Sequence, residues 1–402
     1  MNDFFQSGDI TTLHRLGSLD LKKLEAELCV FGQENPIALV LPCLYSELEG
    51  DALPRILNVI KEISYLSEIV VSLGNASSAE FSRACEFFSV LPQETRIIWN
   101  DGPMLRDLFQ LLEHNDLGAG ESGKGRAVWI AFGYVLAKRK SRVIALHDCD
   151  ILSYDRALLA RLCYPVANVN LGYEFCKGYY SRVTDRLHGR VTRLFVTPLV
   201  RALKQITQFN PFLEYLDSFR YPLAGEFSLV TDMARINRIP ADWGLEVGVL
   251  AEVYRNCTSR RICQVDISEN YEHKHQTLSP DDPTKGLLKM SIDIGKSIFR
   301  TLASEGVTLG ESQFRTLEVS YLRKAQDTIS RYEDDARING LFFDRHAEGG
   351  AVETFAHGIR LAGAEFLSNP LGTPLIPNWS RVTSAIPKFL HMLKAAVDSE
   401  ED

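Results

Sequence analysis

Short apolar runs alternate with amphipathic segments along the first 150 residues, and this alternation predicts a parallel β-sheet. Strands are predicted at residues 37–41, 69–72, 95–99 and 143–146. Helices are predicted between them at residues 52–63, 79–88 and 125–140. Alternation of this kind is typical of an α/β fold in which helices cover both faces of the sheet.

The middle of the chain is less regular. Further strands are predicted at residues 168–173, 174–180 and 262–267. Residues 191–208 have the apolar spacing of a helix, but Pro198 lies inside this segment. Because proline removes a backbone hydrogen bond, we expect a kink or break near Thr197.

Both ends of the chain are predicted to be helical. Leucines at helical spacing precede the first strand, at Leu13, Leu16, Leu21, Leu24 and Leu28. Long amphipathic segments follow at residues 287–304, 313–338 and 352–367. We therefore expect three parts, with the middle part divided into two halves. They are an N-terminal helical segment (1–35), an α/β domain (36–284, with halves 36–150 and 151–284) and a C-terminal α-helical extension (285–402).

Composition and charge narrow the class of protein. The 402 residues are 45% hydrophobic and 24% charged, which is typical of a globular protein, and the net charge is −8. A net negative chain has no general electrostatic attraction for nucleic acid or an anionic membrane. Eight cysteines without a C-x-x-C pair, and no visible signal peptide or membrane span, favour reduced thiols and a cytoplasmic location.

Two carboxylates end the strand predicted at residues 143–146. Asp148 and Asp150 follow it directly, and ligands in α/β sheets bind beyond the carboxyl ends of the strands. At this spacing both carboxylates point to the same side of the chain, so they can share a divalent cation that holds a diphosphate. A lone Asp-x-Asp is more often a solvated turn, so the neighbouring motifs decide between the two interpretations.

Gly123-Lys124-Gly125 opens the helix before that strand. Glycines at a helix start let a phosphate approach the backbone, and Lys124 adds a positive charge. The motif is neither a P-loop nor a dinucleotide fingerprint, because its spacing and position differ from both. A flexible loop with a solvated lysine is the alternative.

These motifs together resemble those of the GT-A glycosyltransferases, which use nucleotide sugars. The matching features are Pro42 after the first strand, Gly123-Lys-Gly125 and His147-Asp-Cys-Asp150. Further motifs, similar in order to those of glucosyl-3-phosphoglycerate synthases, lie at residues 189–203, 222–227, 243–250, 264–266 and 272–273. The resemblance covers residues 36–280 and implies a GT-A, Rossmann-like α/β fold whose two halves bind nucleotide sugar and acceptor.

The resemblance implies roles for particular residues on the donor side. The residues expected to line the uridine pocket are Pro42, Cys43 and Leu44. Lys124 and Asp148 would contact the nucleotide sugar, and Glu246 would contact the sugar hydroxyls; these three are the expected catalytic residues. The same cavity would be lined by Gly225 and Glu226.

The resemblance also implies a metal site and an acceptor site. Asp150 and His273 would bind Mg²⁺ or Mn²⁺ with the diphosphate, and His275 is the alternative to His273. The phosphate and carboxylate of 3-phosphoglycerate would be held by Gly189, Arg190 and Thr192. An arginine fork and a hydroxyl at a helix start suit an anion, although a solvated helix start with a threonine cap would look the same.

Two turns depart from the family pattern. Tyr45-Ser46-Glu47 follows the first strand where the family has Asn-Glu, and Ser72-Leu-Gly-Asn75 replaces its Asp-Ser-Gly-Ser. In the family both turns face the base and ribose, so the resemblance implies the nucleotide less firmly than the metal site.

The resemblance implies transfer of glucose, with retention, from a nucleoside diphosphate donor such as UDP-glucose to the 2-hydroxyl of 3-phospho-D-glycerate. The alternatives are a mannosyl donor, unphosphorylated glycerate as acceptor, a nucleotidyltransferase, and a GT-A scaffold that binds without catalysis. Apolar faces on the C-terminal helices, carrying Phe299, Leu302, Tyr321, Leu322 and Phe355, lead us to expect a homodimer, with packing inside one chain as the competing explanation.

Overall fold

The computed structural model describes residue 6, residues 8–272 and residues 277–401, which form a mixed α/β fold around one eight-stranded sheet. The strands are β1 Thr11–Leu13, β2 Ile37–Leu44, β3 Leu66–Gly74, β4 Thr95–Trp99, β5 Val143–Leu146, β6 Phe175–Tyr180, β7 Phe227–Val230 and β8 Ile262–Ser268. Their order across the sheet is β1-β8-β6-β7-β5-β2-β3-β4. The α/β class predicted from the alternation of apolar runs is confirmed.

The central strand β2 continues past the proline expected to close it. It pairs in parallel with β3 along its whole length, but its pairing with β5 stops at Val40 opposite Leu146. Pro42 therefore lies beyond the part of β2 that pairs with β5. Proline has no backbone N–H, and on the β5 side no strand hydrogen bond is needed at this position. Leu44 rather than Pro42 ends the strand.

Strand β7 was not predicted, and it makes the sheet mixed rather than wholly parallel. It runs antiparallel to β5 on one side and to β6 on the other. Ser228 interrupts its apolar run, so β7 lacks the continuous apolar pattern that identified the equally short β5. Because β7 follows Gly225 and Glu226, its start brings these residues to the edge where β5 ends.

The helices cover both faces of the sheet and build the C-terminal region. They are α1 Leu21–Glu34, α2 Ala52–Ile60, α3 Ser78–Phe88, α4 Pro103–Glu113, α5 Lys124–Lys138, α6 Arg156–Ala167, α7 Thr197–Ile206, α8 Pro211–Ser218, α9 Thr231–Ile236, α10 Leu245–Asn256, α11 Gly286–Ser304, α12 Glu311–Ile338, α13 Arg345–Ser368, α14 Trp379–Ala385 and α15 Phe389–Glu401. No helix in the described ranges is long and apolar enough to cross a membrane. All eight cysteines are free thiols, as their spacing predicted.

Two local predictions are wrong. Residues 11–13 form an edge strand on β8 rather than part of a helix, because Thr11 and Thr12 pair with Cys263 and Gln264. Residues 168–173 form a turn after α6 rather than a strand. In both places distant partners or a preceding helix decide the structure, and the local pattern does not contain that information.

The segment before Pro198 is a widened helical turn. Val191–Val196 forms a π-helix, in which the backbone N–H of Thr197 bonds to the carbonyl oxygen of Thr192, five residues earlier. An α-helix then begins at Thr197, with Pro198 in its first turn. The helical backbone therefore continues through Thr197, and the irregularity expected there is a change from a π-helical to an α-helical turn. Such π-helical turns are frequent at functional sites.

The C-terminal helices pack against the α/β part of the chain. Helix α12 lies along α7, and the Tyr321 hydroxyl donates to the carbonyl oxygen of Leu194 over 2.7 Å. Helix α15 packs on α4 and α5, and the indoles of Trp129 and Trp379 stack with centroids 4.1 Å apart. The apolar faces that suggested a dimer are therefore covered within one chain, since Phe299, Leu302, Tyr321 and Phe355 are fully buried.

Candidate active site

A deep cleft of about 2430 Å³ opens beyond the carboxyl ends of β2, β3 and β5. Sequence-predicted residues from distant parts of the chain line it together. They are Pro42, Cys43, Leu44, Lys124, Asp148, Asp150, Gly189, Arg190, Thr192, Gly225 and Glu246. The cleft matches the location expected for a ligand in an α/β sheet.

A lysine and two carboxylates form the centre of the cleft. Lys124 Nζ lies 2.7 Å from Asp148 Oδ1 and 3.1 Å from Glu246 Oε1. Lys124 begins α5, Asp148 follows β5, and Glu246 lies in the first turn of α10, so three elements meet at one ammonium group. Burial alone would lower the pKa of Lys124, but Asp148 and Glu246 outweigh it and hold that pKa above its ordinary value. Lys124 is therefore a fixed positive charge.

Gly225 leaves room for this cluster. A Cβ atom at Gly225 would lie 2.5 Å from Asp148 Oδ2 and 3.1 Å from Lys124 Nζ. No side chain fits there without displacing one of the two charged groups. The glycine therefore brings the backbone before β7 directly against Asp148.

Glu226 lies behind the cleft wall, where its side chain is fully buried. It accepts a hydrogen bond from the hydroxyl of Tyr271, and the ring of Tyr271 stacks on Tyr180 with centroids 3.7 Å apart. Burial and the charge of Glu226 raise the pKa of Tyr271 well above its ordinary value, which keeps its hydroxyl a donor. At the cleft surface it is Gly225, not Glu226, that faces the cavity.

The glycines at the start of α5 have a packing role that their pattern did not predict. A Cβ atom at Gly125 would lie 2.0 Å from the carbonyl oxygen of Pro240. At Gly123 it would lie 3.2 Å from the carbonyl oxygen of Ala241. These glycines admit the loop that leads into α10, and this close packing holds Glu246 near Lys124.

One end of the cleft follows β2 and β3. Leu44 ends β2 and is half exposed, and Asn75 lies opposite it in the left-handed turn after β3, with φ 56°. The buried amide of Asn100, which the sequence did not single out, donates 2.8 Å to the Ser72 hydroxyl and fixes this turn. These groups offer an apolar wall and polar edges of the kind a flat heterocycle requires.

The residues expected to bind metal are only partly described. Asp150 lines the cleft beside Asp148. His273 and its alternative His275 lie outside the described residues, so the description of the site does not include them. Within the described ranges, no group of three or more histidine, cysteine or acidic side chains converges as a complete metal site.

Another part of the cleft wall carries the acceptor residues expected from the sequence. Gly189 has φ +74°, a left-handed conformation that favours glycine, and it lies two residues before the π-helical turn. The buried Thr192 hydroxyl lines the cleft and has no hydrogen-bond partner among the described residues. A buried hydroxyl without a partner is costly, which favours a ligand at this position.

Arg190 is held by a residue that the sequence did not point to. Its Nε donates 2.8 Å to Glu348 Oε1, and the second oxygen of Glu348 lies 3.0 Å from Nη2 of the buried Arg193. Glu348 lies in the first turn of α13 and is itself buried. The pair joins residues 158 positions apart, so no local signal could have found it.

Solved structures share the fold. Glucosyl-3-phosphoglycerate synthase from Mycobacterium tuberculosis, in complex with Mn²⁺, uridine-diphosphate-glucose and phosphoglyceric acid, aligns with a TM-score of 0.53 and 18% identity over 75% of this chain and 89% of that chain. Mannosyl-3-phosphoglycerate synthase from Rubrobacter xylanophilus aligns with a TM-score of 0.54 and 22% identity over 75% of this chain and 83% of that chain. This likeness confirms the predicted GT-A fold.

Two curated relatives align along nearly the whole sequence. The glucosyl-3-phosphoglycerate synthase of Persephonella marina is 47% identical over 400 residues, covering 100% of this chain and 99% of the relative. That of Methanococcoides burtonii is 39% identical over 399 residues, covering 98% of this chain and 97% of the relative. No protein-family model matches the sequence. Full-length identity at this level shows that the chain belongs to the glucosyl-3-phosphoglycerate synthases, a family of glycosyltransferases.

Proposed function

We propose that the chain transfers glucose, with retention of configuration, from UDP-glucose to the 2-hydroxyl of 3-phospho-D-glycerate. The observation that carries this proposal is the cluster of Lys124, Asp148 and Glu246 at the end of β5, with an arginine and an unpartnered threonine hydroxyl across the same cleft. One face suits a sugar diphosphate and the other suits a small dianionic acceptor. The relatives' names point to the same reaction.

The donor would lie with its sugar against the lysine cluster. Glu246 and Asp148 accept hydrogen bonds from sugar hydroxyls, and Lys124 fixes both carboxylates because it contacts each of them. Lys124 already contacts both oxygens of Asp148 and one of Glu246, so it would act on the diphosphate through its positive charge, where negative charge develops as the glycosidic bond breaks. Gly225 allows the sugar to approach Asp148 closely.

Asp150 fits the proposed metal, and His273 would be the second protein ligand. Asp150 supplies oxygen ligands at the strand end, and Mg²⁺ is usually held by one or two carboxylates together with substrate phosphates. A site with few protein ligands therefore suits this group better than a complete protein cage. When bound, Mg²⁺ or Mn²⁺ would neutralise charge on the leaving diphosphate.

The acceptor would bind on the π-helical turn. Arg190 uses Nε for Glu348, which leaves its terminal Nη groups for the carboxylate or phosphate of the acceptor. Thr192 offers a hydroxyl that has no other partner among the described residues. Two fixed contacts would orient the acceptor and point its 2-hydroxyl towards the sugar.

We expect retention without a covalent intermediate, because neither carboxylate of the cluster is free to act as a nucleophile. Asp148 and Glu246 are both ion-paired to Lys124, and this pairing lowers their nucleophilicity. Attack by the acceptor hydroxyl on the face that the diphosphate leaves accounts for retention. The proton of the hydroxyl then passes to the departing phosphate oxygen.

A donor-by-acceptor assay tests the proposal. UDP-glucose, GDP-glucose and GDP-mannose are each paired with 3-phosphoglycerate and with glycerate, and the released nucleoside diphosphate is measured with Mg²⁺ and with EDTA. We expect turnover with UDP-glucose and 3-phosphoglycerate, and loss of turnover in EDTA. Preference for GDP-mannose would change the donor to mannose. If glycerate is used as efficiently as 3-phosphoglycerate, the enzyme does not recognise the acceptor's phosphate.

A further inference from the structure

A buried lysine lies behind the donor side of the cleft and takes no part in the reaction described above. Lys177, in β6, is fully buried, and its ammonium has no hydrogen-bond partner among the described residues. Lysine is almost never fully buried unless it is paired. The ammonium lies over the ring of Phe227, with Nζ 5.3 Å from the ring centroid.

The sheet register places Lys177 beside the segment that touches the lysine cluster. Lys177 is opposite Phe227 of β7, and the next residue, Gly178, donates its backbone N–H to the carbonyl oxygen of Glu226 over 2.9 Å. Gly225, one residue earlier, touches Asp148 and Lys124. A single three-residue segment therefore separates the buried ammonium from the groups at the cleft surface.

The charges that act on Lys177 belong to the same cluster. The carboxylates of Glu246 and Glu226 attract its ammonium most strongly, Asp148 attracts it less, and the ammonium of Lys124 repels it. Burial lowers the pKa of Lys177 to about 8 in spite of the two glutamates. The site thus gathers three carboxylates, and Lys124 alone cannot balance them.

An unpaired ammonium costs the fold free energy. Met at this position would fill similar space without desolvating a charge, and replacing buried charged groups by apolar ones is often stabilising. A group that lowers stability and adjoins a site is a candidate for function. Strand packing therefore does not explain why a lysine, rather than an apolar residue, lies here.

We propose that Lys177 is a positioning residue of the donor-sugar site, whose buried ammonium holds the carboxylates of Glu246 and Glu226 in the arrangement that recognises the sugar. Lys177 does not touch the substrate, since it does not line the cleft. It acts through the glutamates as a second positive charge on the side of the cluster opposite Lys124. This inference rests on the proposed function, because it takes the cluster as the sugar site.

The test is Lys177→Met, with binding of UDP-glucose and of UDP each measured by titration calorimetry and the thermal midpoint measured alongside. UDP lacks the sugar, so a residue acting on the sugar contacts should weaken UDP-glucose alone. We expect UDP-glucose to bind about tenfold more weakly, since removing a group that orients a ligand costs about ten- to hundred-fold. UDP binding should be unchanged and the thermal midpoint should rise.

A matched control is Lys204→Met, which removes a lysine paired with Glu214 and Asp217 far from the cleft. It should leave both ligands unaffected. Unchanged UDP-glucose binding in Lys177→Met would overturn the proposal. So would an equal loss of UDP and UDP-glucose binding with a lower midpoint, because that pattern marks a purely structural lysine. If the wild type binds another nucleotide sugar instead, the proposed donor fails, and the same comparison with that sugar and its nucleotide decides the role of Lys177.

Discussion

At the scale of single residues, the charged cluster in the cleft depends on the absence of a side chain at Gly225. Gly225→Ala should reduce turnover about a hundredfold, because the new Cβ would displace Asp148 or Lys124, and a misplacement of about 1 Å can cost that much. Steady-state kinetics with UDP-glucose measures the loss. Gly350→Ala is the control, since a Cβ there meets nothing within 4 Å. Near-normal turnover in Gly225→Ala would show that the cluster tolerates rearrangement.

Lys177 also predicts how stability depends on pH. Its pKa is about 8 in the folded protein and 10.5 in an unfolded chain, so the unfolded state binds more protons between these values and stability rises with pH there. Below pH 8 the charged, buried ammonium lowers the free energy of unfolding by its full amount. This is roughly 3 kcal/mol, since each pKa unit corresponds to 1.36 kcal/mol. The gain in stability of Lys177→Met should therefore be largest below pH 8 and shrink towards pH 10.5. Urea unfolding of both proteins across this range measures it, and a constant difference would contradict the assignment.

The sequence predicted individual site residues better than their environments. Lys124, Asp148 and Asp150 could be identified because each lies at the end of a periodic element, and element ends meet at one edge of a parallel sheet. The sequence did not single out Lys177, which lies inside a predicted strand. Its isolation depends on what β7 and α10 place above it, and no local pattern contains that information.

At the scale of elements, strong short-range signals were reliable and long-range ones were not. Strands β4 and β5 match their predicted bounds because each is an apolar run between turn residues or helix ends. Strand β1 and the short β7 exist only because partners from distant segments pair with them. The contact of α13 with the π-helical turn is likewise invisible in the sequence.

Helix α13 therefore contributes to the proposed acceptor site through Glu348. Arg190→Ala should raise the Michaelis constant for 3-phosphoglycerate about ten- to hundred-fold, since a charged hydrogen bond contributes roughly 1.5–3 kcal/mol. Glu348→Gln should raise it less, because Arg190 keeps its charge but loses its orientation. The constant for UDP-glucose should hardly change in either variant, as initial-rate kinetics can show.

The control for this pair is Glu353→Gln, an exposed position on the same helix. It should behave as wild type with both substrates. If Arg190→Ala affects donor and acceptor equally, Arg190 does not belong to the acceptor site. If Arg190→Ala acts on the acceptor but Glu348→Gln has no effect, the helix contributes only to stability.

At the scale of the whole molecule, the homodimer stays a prediction, but the apolar helix faces that first suggested it no longer support it. The helix faces that suggested it are buried inside the chain, but Val319, Ile338 and Phe342 remain largely exposed on and after α12. Light scattering at micromolar concentration should give twice the chain mass of 45.2 kDa. A mass of one chain would refute the dimer, and the exposed residues would then be ordinary surface apolar groups.

The C-terminal helices should be indispensable to the fold whether or not they form a dimer. A chain ending at residue 284 would expose Trp129, which stacks on Trp379, and would remove the hydroxyl of Tyr321 from the carbonyl of Leu194. Because Trp129 lies in α5, the helix that begins with Lys124, the loss should also loosen the catalytic cluster. We expect an insoluble or molten product without activity, although the residues proposed for catalysis are all present. Soluble yield, the near-ultraviolet circular dichroism signal and turnover measure this against the full chain. A truncated protein that melts cooperatively and turns over substrate would show that residues 1–284 form an independent catalytic domain.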